Sequence, residues 1–206
     1  MLSPDSACQS FSCHGNGYAR SEGAAVIVLI RTDKVSQYLP DDFVFDKFRK
    51  EEFPKEEHLP QLNRYLKVLA TGVNSDGFTS SGITFPNGEA QYDLYKNVCE
   101  KAEVNPAEVF YIEAHGTGTK AGDGQELEAL RKAYLVPREN VESLEKEPLF
   151  LGSVKSNMGH AEGCSGLAGL VKLCLSFSQK MIPANLHYTY ETRNLDCEAT
   201  LGNQKL

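Results

Sequence analysis

The stretch VFYIEAHGTGTKAGDG, residues 109–124, decides what kind of fold this chain can adopt. Its first half is apolar and rich in branched and aromatic side chains, which is typical of a buried strand. Its second half is a polar, glycine-rich turn that leads into a predicted helix. LFLGSVKSNMGHAEG, residues 149–163, repeats the pattern. The recurring unit of strand, turn and helix predicts an α/β fold with the residues of interest at the ends of strands.

The other predicted elements follow from apolar runs and helix-start signals. We expect strands at 24–30 and 65–73 and helices at about 86–103 and 162–178. Asp123 and Glu126 have the spacing of a capping box, which predicts that they begin a helix that runs to about Tyr134. A highly charged stretch with two prolines, residues 41–60, predicts a surface excursion.

Length and composition narrow the class of protein. At 206 residues with 41% hydrophobic side chains, the chain suits one globular domain or a large piece of one. Its net charge of -7 argues against nucleic acid or an anionic membrane as the main partner. No apolar run is long enough to span a membrane and MLSPDSACQS does not resemble a signal peptide, so a cytoplasmic location is expected. In that reducing compartment the six cysteines are expected to be free thiols.

Each of the two glycine-bearing turns contains one histidine, His115 in the first and His160 in the second. A lone histidine after a strand is more often structural than catalytic. Two such turns, both crowded with Gly, Ser, Thr and Asn, favour a functional site. Glycines let a ligand approach the backbone, and a neutral imidazole can donate its N–H to a developing oxyanion. Lys155, five residues before His160, adds a cation that could pair with a carboxylate and fix the imidazoles.

Other kinds of site are less well supported by these motifs. The first turn lacks the GxxxxGK[ST] spacing of a phosphate-binding loop, and the GxSxG of a Ser-His-Asp hydrolase is missing. The small residues of SGLAGLVKLCL, residues 165–175, are explained more simply by close helix-to-sheet packing than by dinucleotide binding. Cys8, Cys13 and His14 could suggest a metal site, but no second ligand pair follows at zinc-site spacing, so no metal is expected.

Four motifs together have a more specific meaning. They are GNGYARSEGAAV at 15–26, GVNSDGFTSSGITFPNGEAQ at 72–91, EAHGTGTKAGD at 113–123 and GSVKSNMGHAEGCSGLAGLVK at 152–172. In this order they resemble the β-ketoacyl synthase (ketosynthase) domains of animal type I fatty acid synthases and of polyketide synthases. The resemblance covers about residues 1–190. It implies the thiolase-like fold, an αβαβα sandwich of two similar α/β halves, present here in part.

The resemblance also implies a mechanism. In that family a cysteine thiolate accepts an acyl group from the phosphopantetheine of an acyl carrier protein or domain; malonyl-carrier then loses carbon dioxide, and its enolate attacks the acyl thioester. His115 and His160 would assist decarboxylation and stabilise the enolate oxygen, and Lys155 would order the site. No directly bound cofactor is implied, because the phosphopantetheine is the substrate arm. Other synthase domains and, for the complete domain, a second copy in a homodimer are the implied partners.

Further side chains of the two turns receive roles from the same resemblance. Thr117 and Thr119 match hydroxyls that line the pantetheine tunnel. Asp123 and Glu126 match acidic positions close to the lysine. Glu126 therefore has two interpretations, capping residue and partner of the lysine, and one carboxylate could serve both. Asn157 is expected to support the geometry of its turn.

Cys8 lies in DSACQSF, residues 5–11, which invites comparison with the family's nucleophile motif. The family's nucleophile begins a long helix, however, and Gly15 follows Cys8 too soon to leave room for one. The segment resembles a later part of the family sequence, so no nucleophile is expected in this chain, which alone is expected to be inactive. The interpretation divides the chain into the end of the N-terminal half at 1–35, the charged excursion at 36–65, and the C-terminal half at 66–206, without its closing strand.

Three hypotheses for the function remain at this point. The first is part of an acyltransferase, the β-ketoacyl synthase of fatty acid or polyketide biosynthesis. The second is a non-catalytic carrier-binding or scaffold protein that lacks the nucleophile and keeps the cleft. The third is a thiolase-type enzyme that acts on coenzyme A thioesters, and the paired histidine turns favour the carrier-dependent synthase over it.

Overall fold

The structure is a computed structural model. It describes residues 2–29, 31, 66–80, 82, 85–139 and 148–201. The chain divides into two compact units, of which the first comprises residues 1–25 and 65–206 and the second residues 26–64. The whole charged stretch predicted as an excursion lies outside the described residues. Among the helices described, none has the length and apolar character needed to cross a membrane.

Two short strands form a parallel pair within the first unit. Strand β1 (Tyr111–Glu113) pairs with strand β2 (Phe150–Gly152) in the register Tyr111 to Phe150 and Glu113 to Gly152. The Ala114 N–H donates to the Gly152 carbonyl at 2.7 Å and extends the pairing past the end of β1. The strands predicted at 109–115 and 149–154 are therefore confirmed, although each has only three residues. Because the strands are parallel, the two glycine-bearing turns that follow them leave from the same edge.

Helices surround the pair of strands. The helix predicted from 86 to 103 is confirmed as α1 (Gly88–Ala102), whose N-cap Asn87 accepts hydrogen bonds from two backbone N–H groups. The other α-helices are α2 (Lys120–Leu130), α3 (Val136–Glu139), α4 (Lys155–Met158), α5 (Ser165–Gln179) and α6 (Leu195–Leu201). A π-helical turn (Arg131–Leu135) continues α2, and 3-10 turns (Pro106–Glu108 and Glu162–Cys164) precede β1 and α5. The predicted helix at 162–178 thus corresponds to the second 3-10 turn and α5.

The core of this unit lies between α2, the strands and the N-terminal segment. Leu127 and Leu130 of α2 are almost completely buried, and Phe11 from the N-terminal segment is 1% exposed in the same cluster. The cluster consists of Phe11, Ala114, Leu127, Leu130, Leu135, Leu149, Leu151, Cys197 and Leu201. The helix that follows the first turn is therefore packed on the strand that precedes it, which limits the positions the turn can take.

The capping box predicted from Asp123 and Glu126 is wrong. The N-cap of α2 is Thr119, whose Oγ1 accepts the Gly122 N–H at 3.2 Å, and the helix begins three residues before Asp123. The two carboxylates instead bind backbone N–H groups outside the helix. Spacing alone could not reveal this, since threonine is also a favoured cap and nearby loop N–H groups compete for the same carboxylates.

The strand predicted at 24–30 is wrong for its described part, residues 24–29. Val26 is 89% exposed and Val28 78% exposed, and no strand pairing is found for these residues. Residues 66–73 also lack strand pairing; there Gly72 packs closely on Leu94 and Val98 of α1. A branched apolar run raises strand propensity, but a strand also requires a neighbour to pair with, and the described residues supply none at either place.

Candidate functional site

The backbone of the first turn is held by the buried carboxylate of Glu126. Its Oε1 accepts the His115 N–H at 2.6 Å and its Oε2 accepts the Gly116 N–H at 2.8 Å. Glu126 is 5% exposed and lies nearly two helical turns into α2. Because both N–H groups belong to the peptide units on either side of His115, this carboxylate fixes where the imidazole leaves the backbone.

Asp123 makes a second attachment of the same kind. Its Oδ1 accepts the Gly118 N–H at 3.1 Å, and its Oδ2 accepts the Phe11 N–H at 2.7 Å. Burial raises the pKa of Asp123 to about 6 and that of Glu126 to about 7, and the bound N–H groups partly offset the increase. Helix α2 is therefore connected through carboxylates both to the turn and to the N-terminal segment.

Two glycines of the turn are required by its geometry. Gly116 has a φ of 43° and Gly118 a φ of 82°, both in the left-handed region that other residues rarely adopt. A Cβ at Gly116 would lie 2.7 Å from the Cβ of Ser153, and a Cβ at Gly118 would lie 2.7 Å from the Gln9 nitrogen. The glycines that follow His115 thus let the turn pass between the N-terminal segment and the second turn.

The second turn is connected to the first through Ser153, which is fully buried. Its Oγ lies 3.3 Å from the His115 carbonyl and 3.2 Å from the Gly116 carbonyl, and its N–H donates to Asn185 Oδ1 at 2.9 Å. After α4 the backbone passes Gly159, and the His160 N–H donates to the Ala19 carbonyl at 2.7 Å. The first turn, through Ser153, and the N-terminal segment, through Ala19, therefore position His160.

The two histidines face each other. Their ring centroids are 5.3 Å apart and their planes cross at 85°, so the edge of one ring points at the face of the other. The Glu162 N–H donates to Nδ1 of His160 at 3.0 Å. A nitrogen that accepts a hydrogen bond carries no proton, so neutral His160 has its proton on Nε2. Among the described residues that N–H makes no hydrogen bond, and it belongs to the ring that faces His115.

The electrostatic environment keeps both imidazoles neutral. His115 is partly exposed, yet desolvation by its surroundings lowers its pKa to about 4, and the charge of Lys155 contributes in the same direction. The pKa of His160 is lowered by the same two causes. Neutral imidazoles can act as N–H donors without first losing a proton. The site therefore suits stabilisation of a developing negative charge on a bound group.

Lys155 lies at the start of α4 and is 5% exposed. Burial lowers the pKa of its ammonium, while the charges of Glu126 and Glu113 offset part of that effect. The predicted pairing with Glu126 is thus present as a charge interaction and not as an ion pair in contact; the oxygens of Glu126 bind backbone N–H groups. Within the described part of the chain the ammonium makes no hydrogen bond or ion pair.

Cys8 has the environment of a structural cysteine. It is 1% exposed; its Sγ accepts the Ala19 N–H at 3.2 Å, and desolvation raises the pKa of the thiol. It precedes no helix, and it borders a cavity of about 330 Å³ that Lys155 and Asn157 also line. A nucleophilic cysteine needs a lowered pKa, so these observations favour the prediction that Cys8 is not the nucleophile.

The remaining predicted residues make short-range contacts within the two turns. Thr117 is buried, and its hydroxyl lies 3.2 Å from that of Thr119, the N-cap of α2. The exposed Asn157 accepts a hydrogen bond from Ser156. The assigned tunnel-lining roles of the threonines stay predictions. Sequence interpretation missed Ser153, whose contacts with the first turn arise from tertiary proximity and leave no signal in spacing.

Comparison with known proteins gives the same family from both parts of the chain. The family model described as "Beta-ketoacyl synthase, C-terminal domain" matches residues 65–189, and "Beta-ketoacyl synthase, N-terminal domain" matches residues 1–35. A hybrid PKS-NRPS synthetase of Aspergillus terreus is 38% identical over 95% of this chain and 25% of its own length. A fatty acid synthase of Anser anser anser is 36% identical over 85% of this chain and 41% of its own length.

Solved structures agree with these relatives. The oxazolomycin ketosynthase domain of Streptomyces albus matches with a TM-score of 0.73 and 32% identity over 97% of this chain and 30% of that one. The ketosynthase from module 6 of the bacillaene synthase of Bacillus subtilis 168 matches with a TM-score of 0.67 and 32% identity, over 92% of this chain and 30% of that one. The chain therefore spans well under half the length of each of these relatives.

The first prediction concerns Glu126. In the natural protein that contains these residues, Glu126→Gln keeps one acceptor oxygen but places an amide N–H₂ against the second backbone N–H. At pH 8, amide hydrogen exchange in the 109–127 region should become about 10-fold to 100-fold faster, equivalent to about 1–3 kcal/mol. The exposed neighbour Glu128→Gln is the control and should leave that exchange unchanged. Equal exchange in both variants would contradict the assigned role.

The second prediction concerns the protonation of His115. Its lowered pKa means that the imidazole stabilises the folded chain above about pH 6.5 and that this contribution is lost as pH falls towards about 4. Diethyl pyrocarbonate reacts with neutral imidazole, so the rate at the His115 peptide should fall with a midpoint near pH 4. Lys155→Met should move the midpoint upward. A midpoint near 6.5, as in N-acetylhistidine amide, would show the environment to be wrongly assigned.

Proposed function

The chain belongs to the β-ketoacyl synthase family, and from this membership we propose that it supplies the histidine-bearing part of a decarboxylating condensation site. Its fold is part of the thiolase-like α/β fold of ketosynthase domains. The proposed reaction is the decarboxylative Claisen condensation of malonyl-carrier with an acyl thioester, in the biosynthesis of fatty acids or polyketides. The single observation that carries the proposal is the facing pair of neutral histidines.

The decarboxylation step requires donors for one oxygen. When the bond between the carboxylate and the α-carbon of the malonyl group breaks, carbon dioxide leaves and the electron pair moves into the thioester, which becomes an enolate. The negative charge collects on the former carbonyl oxygen. Nε2–H of His160 and the imidazole of His115 belong to facing rings, and both are proposed to donate to that oxygen. The enolate carbon then attacks the acyl thioester, and the thiolate leaves.

Lys155 favours this step without touching the substrate. Its positive charge is buried beside the histidines and lowers the pKa of both imidazoles. Each imidazole therefore stays a neutral donor at physiological pH instead of becoming protonated. The same positive charge also favours the formation of a negatively charged enolate nearby. We assign Lys155 the role of ordering and polarising the site, with Glu126 as a partner through charge.

The acyl-accepting thiol is proposed to be a cysteine other than Cys8. A thiol that accepts an acyl group must form a thiolate readily and must be reachable by a carrier's pantetheine arm. Cys8 is 1% exposed, and its pKa is raised by desolvation. The proposed substrate arm is the phosphopantetheine of an acyl carrier protein or domain, and Thr117 and Thr119 are proposed to line its path. Other synthase domains, a homodimer and a cytoplasmic location complete the proposal.

The third prediction tests the histidine pair in the natural protein that contains this chain. His115→Ala and His160→Ala should each slow the decarboxylation of malonyl-carrier by about 100-fold to 1,000-fold, because each removes a donor to the enolate oxygen. His14→Ala, at an exposed position outside the two turns, is the control and should decarboxylate normally. A folded variant of either paired histidine with near-normal carbon dioxide release would sink the assignment. A carrier-binding scaffold would bind malonyl-carrier and release no carbon dioxide in any variant.

The fourth prediction tests the thiol. In the same protein Cys8→Ser should leave acyl loading intact, since the small side chain only packs beside Ala19. The measurement is mass spectrometry of proteolytic peptides after incubation with an acyl-carrier substrate. The acyl group should be found on a peptide other than the one that contains Cys8. An acyl group on the Cys8 peptide would overturn the prediction.

A further inference from the structure

A buried ionic cluster lies under the second turn, outside the site described above. The carboxylate of Glu113, at the end of β1, forms an ion pair of 2.7 Å with the ammonium of Lys172 in α5. The two side chains are only 8% and 9% exposed. The Tyr111 hydroxyl donates to the same Glu113 oxygen, Oε2, at 2.6 Å, and the Lys172 ammonium lies 5.5 Å from the centre of the Tyr111 ring. The cluster thus joins β1 to α5.

The surrounding backbone leaves room for this cluster. A Cβ at Gly152 would come within 2.5 Å of the Tyr111 hydroxyl and 3.1 Å of the Lys172 ammonium. A Cβ at Gly169 would come within 3.1 Å of Glu113 Cγ. An apolar pair would fill the same space without the loss of solvation that a buried ion pair suffers, so stability alone does not explain these charges.

The second carboxylate oxygen of Glu113 binds the backbone of the second turn. Its Oε1 accepts the N–H of Val154 at 2.5 Å. Val154 is the N-cap of α4, has no capping side chain of its own, and directly precedes Lys155. The Glu113 carboxylate therefore binds the N–H of the N-cap residue, as the glutamate of a capping box does, and helps Ser153 Oγ, which accepts the Lys155 N–H at 3.4 Å, to hold the backbone at the lysine. Its other oxygen is bound to Lys172 and Tyr111, which keeps the carboxylate from rotating.

We propose that Glu113 is a positioning residue for the condensation site, with Lys172 and Tyr111 holding its carboxylate against the backbone N–H that precedes Lys155. This inference rests on the proposed function. Glu113 touches no reacting atom. It acts through Lys155 and, five residues later, through His160, whose spacing from His115 the catalytic step requires. A displacement of about 1 Å in such a group can cost about 100-fold in rate.

The fifth prediction compares two double variants of the natural protein that differ by one hydrogen-bond acceptor. Glu113→Gln with Lys172→Met removes both charges and keeps an oxygen for the Val154 N–H. Glu113→Met with Lys172→Met removes the charges and that oxygen, at equal side-chain length. We expect the first, which loses the ion pair but keeps the acceptor, to keep kcat for malonyl-carrier decarboxylation within about 10-fold, and the second to lose about 100-fold in kcat with KM nearly unchanged. Equal kcat values per folded protein would overturn the proposal.

Tyr111→Phe is a milder variant in case the methionine double variant fails to fold. It removes only the O–H that orients the carboxylate, and it should lower kcat by about 3-fold to 10-fold without a change in KM. An unchanged kcat in Tyr111→Phe would also overturn the proposal.

The chemical reactivity of His160 can be measured without catalysis, so it tests this proposal independently of the proposed function. The rate of carbethoxylation of His160 by diethyl pyrocarbonate, followed on its peptide by mass spectrometry, should change in the methionine double variant and stay at the parent value in the glutamine one. If the parent protein releases no carbon dioxide, the proposed function fails, while these rates still decide whether Glu113 positions the turn. Identical His160 rates in both double variants would contradict positioning even if the parent is active.

Discussion

The rest of this structure depends on two buried carboxylates of one helix that bind backbone N–H groups of a glycine-rich turn. Glu126 binds the peptide units around His115, and Asp123 binds Gly118 and the N-terminal segment at Phe11. A buried backbone N–H without a partner is costly, and so is a buried carboxylate without donors. Each group therefore satisfies the other, and the turn has little freedom to move away from α2.

This arrangement determines the electrostatics of the site as well as its shape. The carboxylate oxygens bind N–H groups, and their charge acts on Lys155 at a distance, without a contact ion pair. Its own charge remains to act on the histidines and lowers the pKa of each. One buried network thus holds the imidazoles in place and keeps them neutral, which are the two conditions for donation to an oxyanion.

In the second turn, too, buried backbone N–H groups are bound by buried acceptors, but the acceptors are different side chains. Ser153 and Asn185 satisfy the backbone after β2, and the Glu113 carboxylate satisfies the N–H before Lys155. Left-handed Gly116 lets the first turn approach Ser153 of the second closely, and left-handed Gly159 lets the second turn approach Ala19 of the N-terminal segment. The histidines face each other because the buried polar groups in the turns after the two parallel strands must find hydrogen-bond partners.

Much of the local structure could be predicted from the sequence, because it depends on patterns of residues that are close together along the chain. The apolar runs before the two turns predicted β1 and β2, helix-start signals predicted α1, and the two histidine-bearing turns predicted a functional site. The capping box was wrong because Asp123 and Glu126 bind N–H groups outside their own helix. The strand predicted at 24–30 was wrong in its described part, since propensity cannot supply a pairing neighbour.

The sequence by itself determined the alternation of strand, turn and helix, the family motifs and the candidate histidines, all of which depend on residues close together along the chain. Only the tertiary structure decided what each carboxylate binds, which nitrogen of His160 carries its proton, and that Glu113 and Lys172 meet. Those outcomes depend on burial. Once water is excluded, each donor and acceptor is satisfied by whatever group the packing brings near, and that group can lie anywhere in the chain.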